Sequence, residues 1–414
     1  MKKTGIWLAV SVFLVLAGCF PQQEPEEEVV QNDPESEQET SIVPGNQLDE
    51  ENYRMIIPYK PSEARGVITN QVANRLDIDE LEEGLMRHSK DVFDPEDYLF
   101  QEGQYLTSDM VYDWLGRALT EEELENRVKE RIEWLEENKM TVDEDQIREE
   151  LQQGLNPEIE DVEGLEEEEA IEMHEENPRY LSHILEQNFL RKREDDSVEL
   201  AGISVGIAMK SVYRYQLETG GPDYYEEISE SEMLEQGEEI AQEIINRIRQ
   251  IEGLEEIPIM LAIYREAEQS SPIPGNFVAK TTIDSGGDTI GDWESLGEEY
   301  ILFPSDEGRE KYFDDQEIVT SFGEEIAQFF PNYVGVIGEG FYIDEELQRL
   351  SIEIPLEFYG KAEVMGFTQF AYGLVQDMFS NYFELEIKVT SSDQVESLIY
   401  RPADAESPTV HIFH

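Results

Sequence analysis

The reactive side chain with the clearest sequence context is a single cysteine thiol. Cys19 is the only cysteine among the 414 residues, so the chain forms no internal disulfide and no thiolate metal site. Leu16, Ala17 and Gly18 stand directly before it. Small residues at 17 and 18 fit the cleft of a lipoprotein signal peptidase, and the thiol then accepts a diacylglyceryl group. We therefore predict a lipobox at Leu16, Ala17 and Gly18, with Cys19 as the lipidated residue.

The segment before this lipobox has the layout of a secretory signal peptide. Lys2 and Lys3 form a short positive region, and an almost unbroken apolar run follows over residues 6–16. The run is shorter than the ~20 residues of a membrane-spanning helix, so we predict that residues 1–18 are a cleaved leader. A processed Cys19 would carry at least two acyl chains, which anchor a protein stably. The predicted location is the extracellular face of the cell membrane, with that membrane and the signal peptidase as partners.

No other group of side chains forms a recognisable catalytic or metal-binding motif. The sequence contains no Gly-x-Ser-x-Gly, no phosphate-binding Gly-Lys-Ser/Thr and no dinucleotide fingerprint. With 96 acidic residues, chance supplies carboxylate pairs at any spacing, so no pair can be nominated for glycosidase chemistry. The histidines lack metal-binding spacing on a helix, and we interpret each as a surface or core residue: His88, His174, His183, His411 and His414. We predict no cofactor, no metal and no enzymatic activity, and a cell-envelope hydrolase is the least favoured hypothesis.

The charge of the chain limits its partners. It has 30 Lys and Arg residues against 96 Asp and Glu residues, a formal net charge of −66. Nucleic acid is excluded as a partner, because phosphate binding requires clustered cations. Adsorption onto anionic lipid is disfavoured for the same reason, so anchoring depends on acylation. We interpret the excess carboxylates as a solvation device for a salty or alkaline exterior. A calcium-loaded protein is the alternative, although no stretch has the acidic loop of an EF-hand.

Composition and hydrophobic patterning divide the rest of the chain into parts. Residues 19–52 are rich in Pro, Gln, Glu and Ser, which predicts a lipidated, disordered tether. Residues 53–297 alternate strand and helix patterns and contain an acidic stretch, 118–197, that predicts a solvated helical insert. Within this stretch, residues 180–190 also read as a helix. Residues 298–414 alternate strands and helices again, and we predict an α+β fold (mixed α/β).

Short matches between the two halves predict a duplication. Residues 102–106 match residues 339–343, and the strand–helix–strand pattern of 198–265 parallels that of 350–389. We therefore predict two related α/β copies, the first carrying the helical insert. Two like copies would pack across an interface at which a groove forms. A ligand- or cation-binding lipoprotein that uses this groove is the alternative function, and the loop 271–277 either lines its mouth or is a structural turn.

Several stretches resemble the CamS family, the lipoproteins described as sex-pheromone precursors of Gram-positive bacteria. The matching residues cover most of the mature chain and are 74–87, 93–95 with 101–105, 180–188, 201–208 and 274–277. The resemblance implies a lipoprotein without enzymatic activity and leaves the role of the mature body open.

The resemblance also implies a function for the leader. In this family, a short apolar peptide released from just before the lipidated cysteine is sensed by enterococci that carry a conjugative plasmid. The corresponding stretch here is Val12–Gly18, so a pheromone receptor for the leader peptide is an implied partner. The best-known peptides of the family begin Ala-Ile-Phe, whereas this stretch begins Val-Phe-Leu and ends in Gly18.

Overall fold

The computed structural model of the protein describes residues 28–32, 40–43, 52–162, 164–193, 197–330, 335–357, 360–392 and 394–413. The predicted lipobox, Cys19 and the leader segment 12–18 lie outside these residues.

Helices and strands alternate along most of the described chain. The helices are a short 3₁₀ turn (Glu63–Gly66), α1 (Ile68–Gln71), α2 (Arg75–Ser89), α3 (Ser108–Trp114), α4 (Glu121–Glu137), α5 (Glu144–Leu151), α6 (Glu167–Glu176), α7 (Glu230–Ile248), α8 (Asp306–Lys311), α9 (Phe313–Phe329) and α10 (Lys361–Met378). The strands are β1 (Glu28–Asn32), β2 (Thr40–Val43), β3 (Arg54–Met55), β4 (Leu99–Glu102), β5 (Leu181–Lys192), β6 (Ser197–Met209), β7 (Val212–Tyr215), β8 (Tyr224–Glu227), β9 (Ile259–Arg265), β10 (Asn276–Ile283), β11 (Glu294–Ser295), β12 (Glu298–Phe303), β13 (Ile337–Ile343), β14 (Glu346–Pro355), β15 (Glu384–Ser391), β16 (Gln394–Arg401) and β17 (Thr409–Ile412). This content confirms the predicted α+β fold.

The smaller of two units falls within residues 1–60, 95–101 and 190–199. Its strands β1 and β2 pair in antiparallel fashion, and β3 and β4 run parallel. β1 and β2 lie inside the stretch 19–52, for which we predict disorder. Their Val and Ile residues favour extended backbone, which gives these two segments a strand pairing that the polar composition of the whole stretch does not indicate.

The larger unit falls within residues 61–94, 102–189 and 200–414, and its described residues contribute to two large sheets and form the two-stranded antiparallel sheet β7–β8. In the first, which we call the N-terminal sheet, the strand order is β11-β10-β9-β6-β5. β6 and β9 are parallel and are joined by helix α7, whereas β9 and β10 are antiparallel. A helical crossover of this kind is what a parallel pair of strands requires.

Helices cover both faces of the N-terminal sheet. The isoleucine stripe of α7, which includes Ile240 and Ile244, packs into the core on one face. On the other face α2 approaches so closely that a Cβ atom at Gly206 would lie 3.2 Å from the Leu85 side chain. Because neither face meets solvent, β6 and β9 are apolar along most of their length.

The prediction of a helix over residues 180–190 is wrong, because these residues form most of β5. The strand is buried along almost its whole length, so it lacks the alternation of apolar and polar residues that marks a strand with one exposed face. Its buried polar side chains are Ser182, His183, Glu186, Gln187 and Asn188. The carboxylate of Glu186, for example, accepts the backbone N–H of Leu106 at 2.7 Å. The end of the predicted helical insert, 118–197, is therefore part of the sheet.

The acidic helices α4 and α5 do form as predicted and have a core of their own. Leu124, Val128 and Leu135 of α4 pack against Ile147 of α5. A capping box begins α4, in which the side chain of Thr120 accepts the backbone N–H of the third helical residue. This small core is separate from the cores of the two sheets.

The chain enters and leaves this helical pair at one point, which we call the insert clasp (residues 116–118 and 154–156). The N–H of Ala118 donates to the carbonyl of Asn156 at 2.7 Å, and the N–H of Asn156 donates to the carbonyl of Gly116 at 3.0 Å. A side chain at Gly154 would place its Cβ 2.1 Å from the carbonyl oxygen of Arg117. The clasp therefore requires glycine at 154.

The second sheet of the larger unit, which we call the C-terminal sheet, has the order β12-β13-β14-β15-β16-β17. β14 and β15 are parallel and are joined by α10, and the other neighbours are antiparallel. Helices α9 and α10 contribute Phe322 and Phe367 to its core.

Both sheets share part of their topology. In each sheet, four strands have the same arrangement: the first two are adjacent, a helical crossover joins the second to a parallel third, and the fourth is antiparallel to the third. These strands are β5, β6, β9 and β10 in the N-terminal sheet and β13, β14, β15 and β16 in the C-terminal sheet. The matched short runs do not follow this correspondence, because Glu102 ends β4 whereas Glu339 lies inside β13. The duplication itself stays a prediction.

A charged cluster links α2 to the first strand of the C-terminal sheet. The guanidinium of Arg87 donates to Glu80 at 2.8 Å and to Glu298 at 2.9 Å. Glu298 also accepts the backbone N–H of Phe277 at 3.3 Å, and the Arg87 guanidinium stacks 4.6 Å from the ring centre of Phe341. Arg87 thus connects residues from both predicted copies.

The cluster favours the charged forms of Arg87 and Glu298. Burial opposes ionisation of Arg87, but the carboxylates of Glu80 and Glu298 raise its pKa above the ordinary value. Burial alone would raise the pKa of Glu298, yet the imidazole of His88, whose Nε2 lies 3.1 Å from Oε1 of Glu298, and the charge of Arg87 lower that pKa. Breaking such a buried pair by removing one partner is costly, because the other charge remains without compensation.

We expect Arg87→Met to lower the free energy of unfolding by about 3 kcal/mol, because Glu80 and Glu298 stay buried without a countercharge. Urea unfolding of the mature chain measures this change. The matched control is Arg309→Met, which removes an arginine from an exposed pair with Asp306 and is expected to leave stability unchanged.

The stability difference between wild type and Arg87→Met is also expected to depend on pH. The folded-state pKa of Glu298 is lowered, so its contribution is present above the ordinary value of 4.5 and is lost as the pH falls below it. A difference that stays constant from about pH 7 to about pH 3, or that equals the control's, would contradict the assigned role of Arg87.

A candidate binding cleft

A cleft of about 1140 Å³ lies in the larger unit, where the two predicted copies meet. One side is formed by the segments that follow β6 and β9 and by the beginning of α7, and the other by the beginning of β12 and the β13–β14 turn. The carboxyl ends of parallel strands are the usual position of ligand sites in open sheets joined by helical crossovers. The cleft is therefore the candidate functional site.

The loop 271–277 contributes residues 271–276 to one wall of this cleft, and Asp77 of α2 and the N-cap residue Asn74 hold the loop in place. Oδ1 of Asp77 accepts the backbone N–H of Gly275 at 2.7 Å and the hydroxyl of Tyr264 at 2.8 Å. The side-chain amide of Asn74 donates to the carbonyl of Ser271 at 3.1 Å. The sequence left two interpretations of this loop, a structural turn or the lining of a groove. Both apply, because the loop is a turn held by hydrogen bonds and it also lines the cleft.

Asp77 is almost fully buried, with 1% of its surface exposed. Burial raises its pKa above the ordinary value, although the hydrogen bonds from Gly275, Tyr264 and Ala267 oppose this rise. Its second oxygen, Oδ2, has no hydrogen-bond partner among the described residues. The cleft wall is therefore held by a carboxylate whose desolvation is only partly compensated.

The lining of the cleft is strongly acidic. Its acidic residues are Glu227, Glu230, Glu266, Glu268, Glu298, Glu299, Glu307, Asp344 and Glu345, and its basic residues are Arg265 and Lys311. Lys311 already pairs with Glu299 at 2.8 Å and with Glu307 at 2.9 Å. The potential inside the cleft is therefore negative, and it favours a cationic occupant over an anionic one.

Glu266 is the most deeply buried of these acids apart from Glu298. It is 6% exposed, and its Oε2 lies 3.7 Å from the Nζ atom of Lys210, which is too far for a good hydrogen bond. Its Oε1 has no hydrogen-bond partner among the described residues. Burial raises the pKa of Glu266, and Lys210 and Ser182 only partly oppose the rise.

The histidines do not assemble into a site in the described part of the chain. His88 and His183 are buried, His174 is half-buried and His411 is exposed, while His414 lies outside the described residues. Burial lowers the pKa of His183 to about 3. Over the described ranges, no group of three or more His, Cys, Asp or Glu side chains is arranged to hold a metal ion.

Sequence reasoning did not single out Asp77, Glu266 or Glu298. Each is one of 96 acidic residues, and only the fold reveals that it is buried.

Among the described helices, none combines the length and the apolar character that crossing a bilayer requires.

Two solved structures share this architecture. A sex pheromone precursor from Lactobacillus salivarius subsp. salivarius UCC118 is 28% identical, with a TM-score of 0.75, and the match covers 89% of this chain and 98% of that one. The C-terminal domain of the sex pheromone staph-cAM373 precursor from Staphylococcus aureus is also 28% identical, with a TM-score of 0.67 and coverage of 83% and 99%.

The family comparison agrees with these structures and with the resemblance seen in the sequence. No curated protein matches the chain. The model of the family described as CamS sex pheromone cAM373 precursor matches residues 59–407, which is most of the 414 residues. The chain therefore belongs to the CamS sex pheromone precursor family.

Proposed function

We propose that the protein is a lipoprotein anchored to the extracellular face of the cell membrane through acyl groups on Cys19. The observation that carries this proposal is the family match over residues 59–407 in a chain that begins with a signal-peptide pattern and a lipobox. Lipoprotein signal peptidase would cleave after Gly18, and the stretch 19–52 would connect the anchor to the body.

The leader supplies the second part of the proposal. Residues 12–18 are apolar and end directly before Cys19, which is the position expected for a released peptide in a precursor of this type. We propose that this heptapeptide is a signal for responder cells and that the mature body is not an enzyme. The family membership and the absence of a recognisable catalytic motif in the sequence support this assignment.

A second candidate function uses the body itself. The acidic cleft of about 1140 Å³ favours a ligand-binding lipoprotein, because it is large enough for a small molecule and is lined by residues from both predicted copies. Anchoring and ligand binding are compatible, since the anchor holds the cleft at the cell surface.

For the anchor, Cys19→Ala is expected to abolish incorporation of an alkyne-labelled fatty acid, because the acceptor thiol is absent. Intact-mass measurement of detergent-extracted wild-type protein should show acyl groups on a chain that begins at Cys19. The matched control is Thr4→Ala, which changes the leader without touching the lipobox and should label normally. Equal labelling of Cys19→Ala, or an unacylated wild-type N-terminus, would refute the anchor.

For the leader, a synthetic Val-Phe-Leu-Val-Leu-Ala-Gly peptide is expected to induce clumping of enterococcal responder cells that carry a pheromone-sensing conjugative plasmid. A scrambled peptide of the same composition is the control, because it has the same hydrophobicity in a different order. If both peptides leave the cells dispersed, this leader is not a pheromone for those responders.

A further inference from the structure

Strand β17 forms one edge of the C-terminal sheet, and its outer side is open. Among the described residues, β17 pairs with β16 alone. The N–H of Phe413 donates to the carbonyl of Glu396 on β16 at 3.0 Å. Because successive residues of a strand direct their backbone groups to opposite sides, those of Val410 and Ile412 point away from β16. The edge therefore presents two residues whose donors and acceptors are available to another strand.

This edge lacks the charged side chains that usually prevent strand pairing. The other edge of the sheet, β12, begins with Glu298 and Glu299, and Glu298 is joined to the N-terminal sheet through the N–H of Phe277. By contrast, residues 407–413 contain no Asp, Glu, Lys or Arg, in a chain with a net charge of −66. Pro408 precedes β17 and limits new pairing to the residues that follow it.

The helix beside this edge presents an uncharged side to it. Residues 364–376 of α10 contain no Asp, Glu, Lys or Arg. The side-chain amide of Gln376 donates to the hydroxyl of Ser407, just before β17, at 3.3 Å, so this side of the helix faces the edge. Tyr372 and Met365 lie four and eleven residues before Gln376, which places them on the same side. Met365 is 50% exposed and Tyr372 is half-buried, so apolar surface continues from the strand onto the helix.

We propose that two copies of the chain form a dimer by antiparallel pairing of β17 with β17 of the second copy, which joins two C-terminal sheets into one. A twofold register centred on His411 places Val410 of each copy opposite Ile412 of the other. Each such pair exchanges two backbone hydrogen bonds. The proposal is independent of the anchor at Cys19 and of the cleft.

Charge argues for a second copy as the occupant of this edge. Two chains that each carry a net charge of −66 repel one another, so they associate only through a surface that brings no carboxylates together. In the proposed register the acids nearest to β17 in the sequence, Asp404 and Glu406, lie before Pro408 and outside the paired residues. A twofold axis also makes one surface patch its own complement, and the α10 side then meets its copy across the joined strands.

Analytical ultracentrifugation of the mature chain carrying Cys19→Ala, at ~0.15 M salt, tests the dimer. We expect a monomer–dimer equilibrium, and we expect Val410→Glu to weaken dimerisation by about tenfold or more, because it places a carboxylate in each half of an uncharged interface. The matched control is Val142→Glu. It adds the same charge at a valine between α4 and α5 that is 37% exposed, against 41% for Val410, and it should dimerise as the parent chain does.

A cross-link tests the register. His411 faces His411 of the second copy in a non-hydrogen-bonded pair, in which the Cα atoms are about 4.5 Å apart, a distance that suits a disulfide. The Cys19→Ala/His411→Cys chain is therefore expected to form a covalent dimer under mild oxidation. Cys19→Ala/Thr320→Cys changes an exposed residue of α9 and should stay monomeric. Equal cross-linking of the two variants would contradict the register.

Three results of the centrifugation would overturn the proposal. The first is a parent chain that stays monomeric at about 0.1 mM, a concentration at which even a weak dimer is populated. The second is a dimer that Val410→Glu and Val142→Glu affect equally, which would place the contact on a different surface. The third is a species larger than a dimer, since a twofold contact closes at two copies. A monomer that binds a synthetic Thr-Val-Thr-Val-Thr peptide, and loses it in Val410→Glu, would assign the edge to a strand of another protein.

Discussion

The guanidinium of Arg87 is shared by two carboxylates, one on its own helix and one on the first strand of the C-terminal sheet. Glu80 and Glu298 would repel each other in a site with so little water, and Arg87 compensates both. Because Glu298 also lines the cleft, the same interaction that links the two sheets places one of the cleft walls. The shape of the candidate site is thus tied to the packing of the body.

Local patterns predicted the parts of the fold that depend on local interactions. The isoleucine stripe that includes Ile240 and Ile244 predicted α7, and the capping pattern at Thr120 predicted α4, because both signals are complete within a few residues of sequence. The strand β5 escaped prediction, since polar residues such as His183 and Glu186 are buried in it by partners that are distant in the sequence. The alternation of apolar and polar residues marks a strand only when one of its faces is exposed to solvent, and β5 has almost no exposed face.

The candidate site was predictable in position and not in chemistry. A groove between two copies follows from the predicted duplication, and the Pro and Gly residues of 271–277 indicated a turn beside it. Glu266 and Asp77 could not be distinguished from the other acids, because burial is a property of the whole fold. The lipobox is the opposite case. Its chemistry is contained in four adjacent residues, Leu16 to Cys19, and requires no fold at all.

The insert clasp is where the acidic helical pair, α4 and α5, joins the rest of the larger unit. Its two backbone segments are hydrogen-bonded at Ala118 and Asn156, next to Gly154. The positions at which the chain leaves and re-enters the body are therefore the same whatever segment lies between them. The entropy of closing a loop grows only slowly with its length. A longer or shorter helical pair would therefore add little to the entropic cost of closing the clasp and would leave the backbone at residues 116–118 and 154–156 in place.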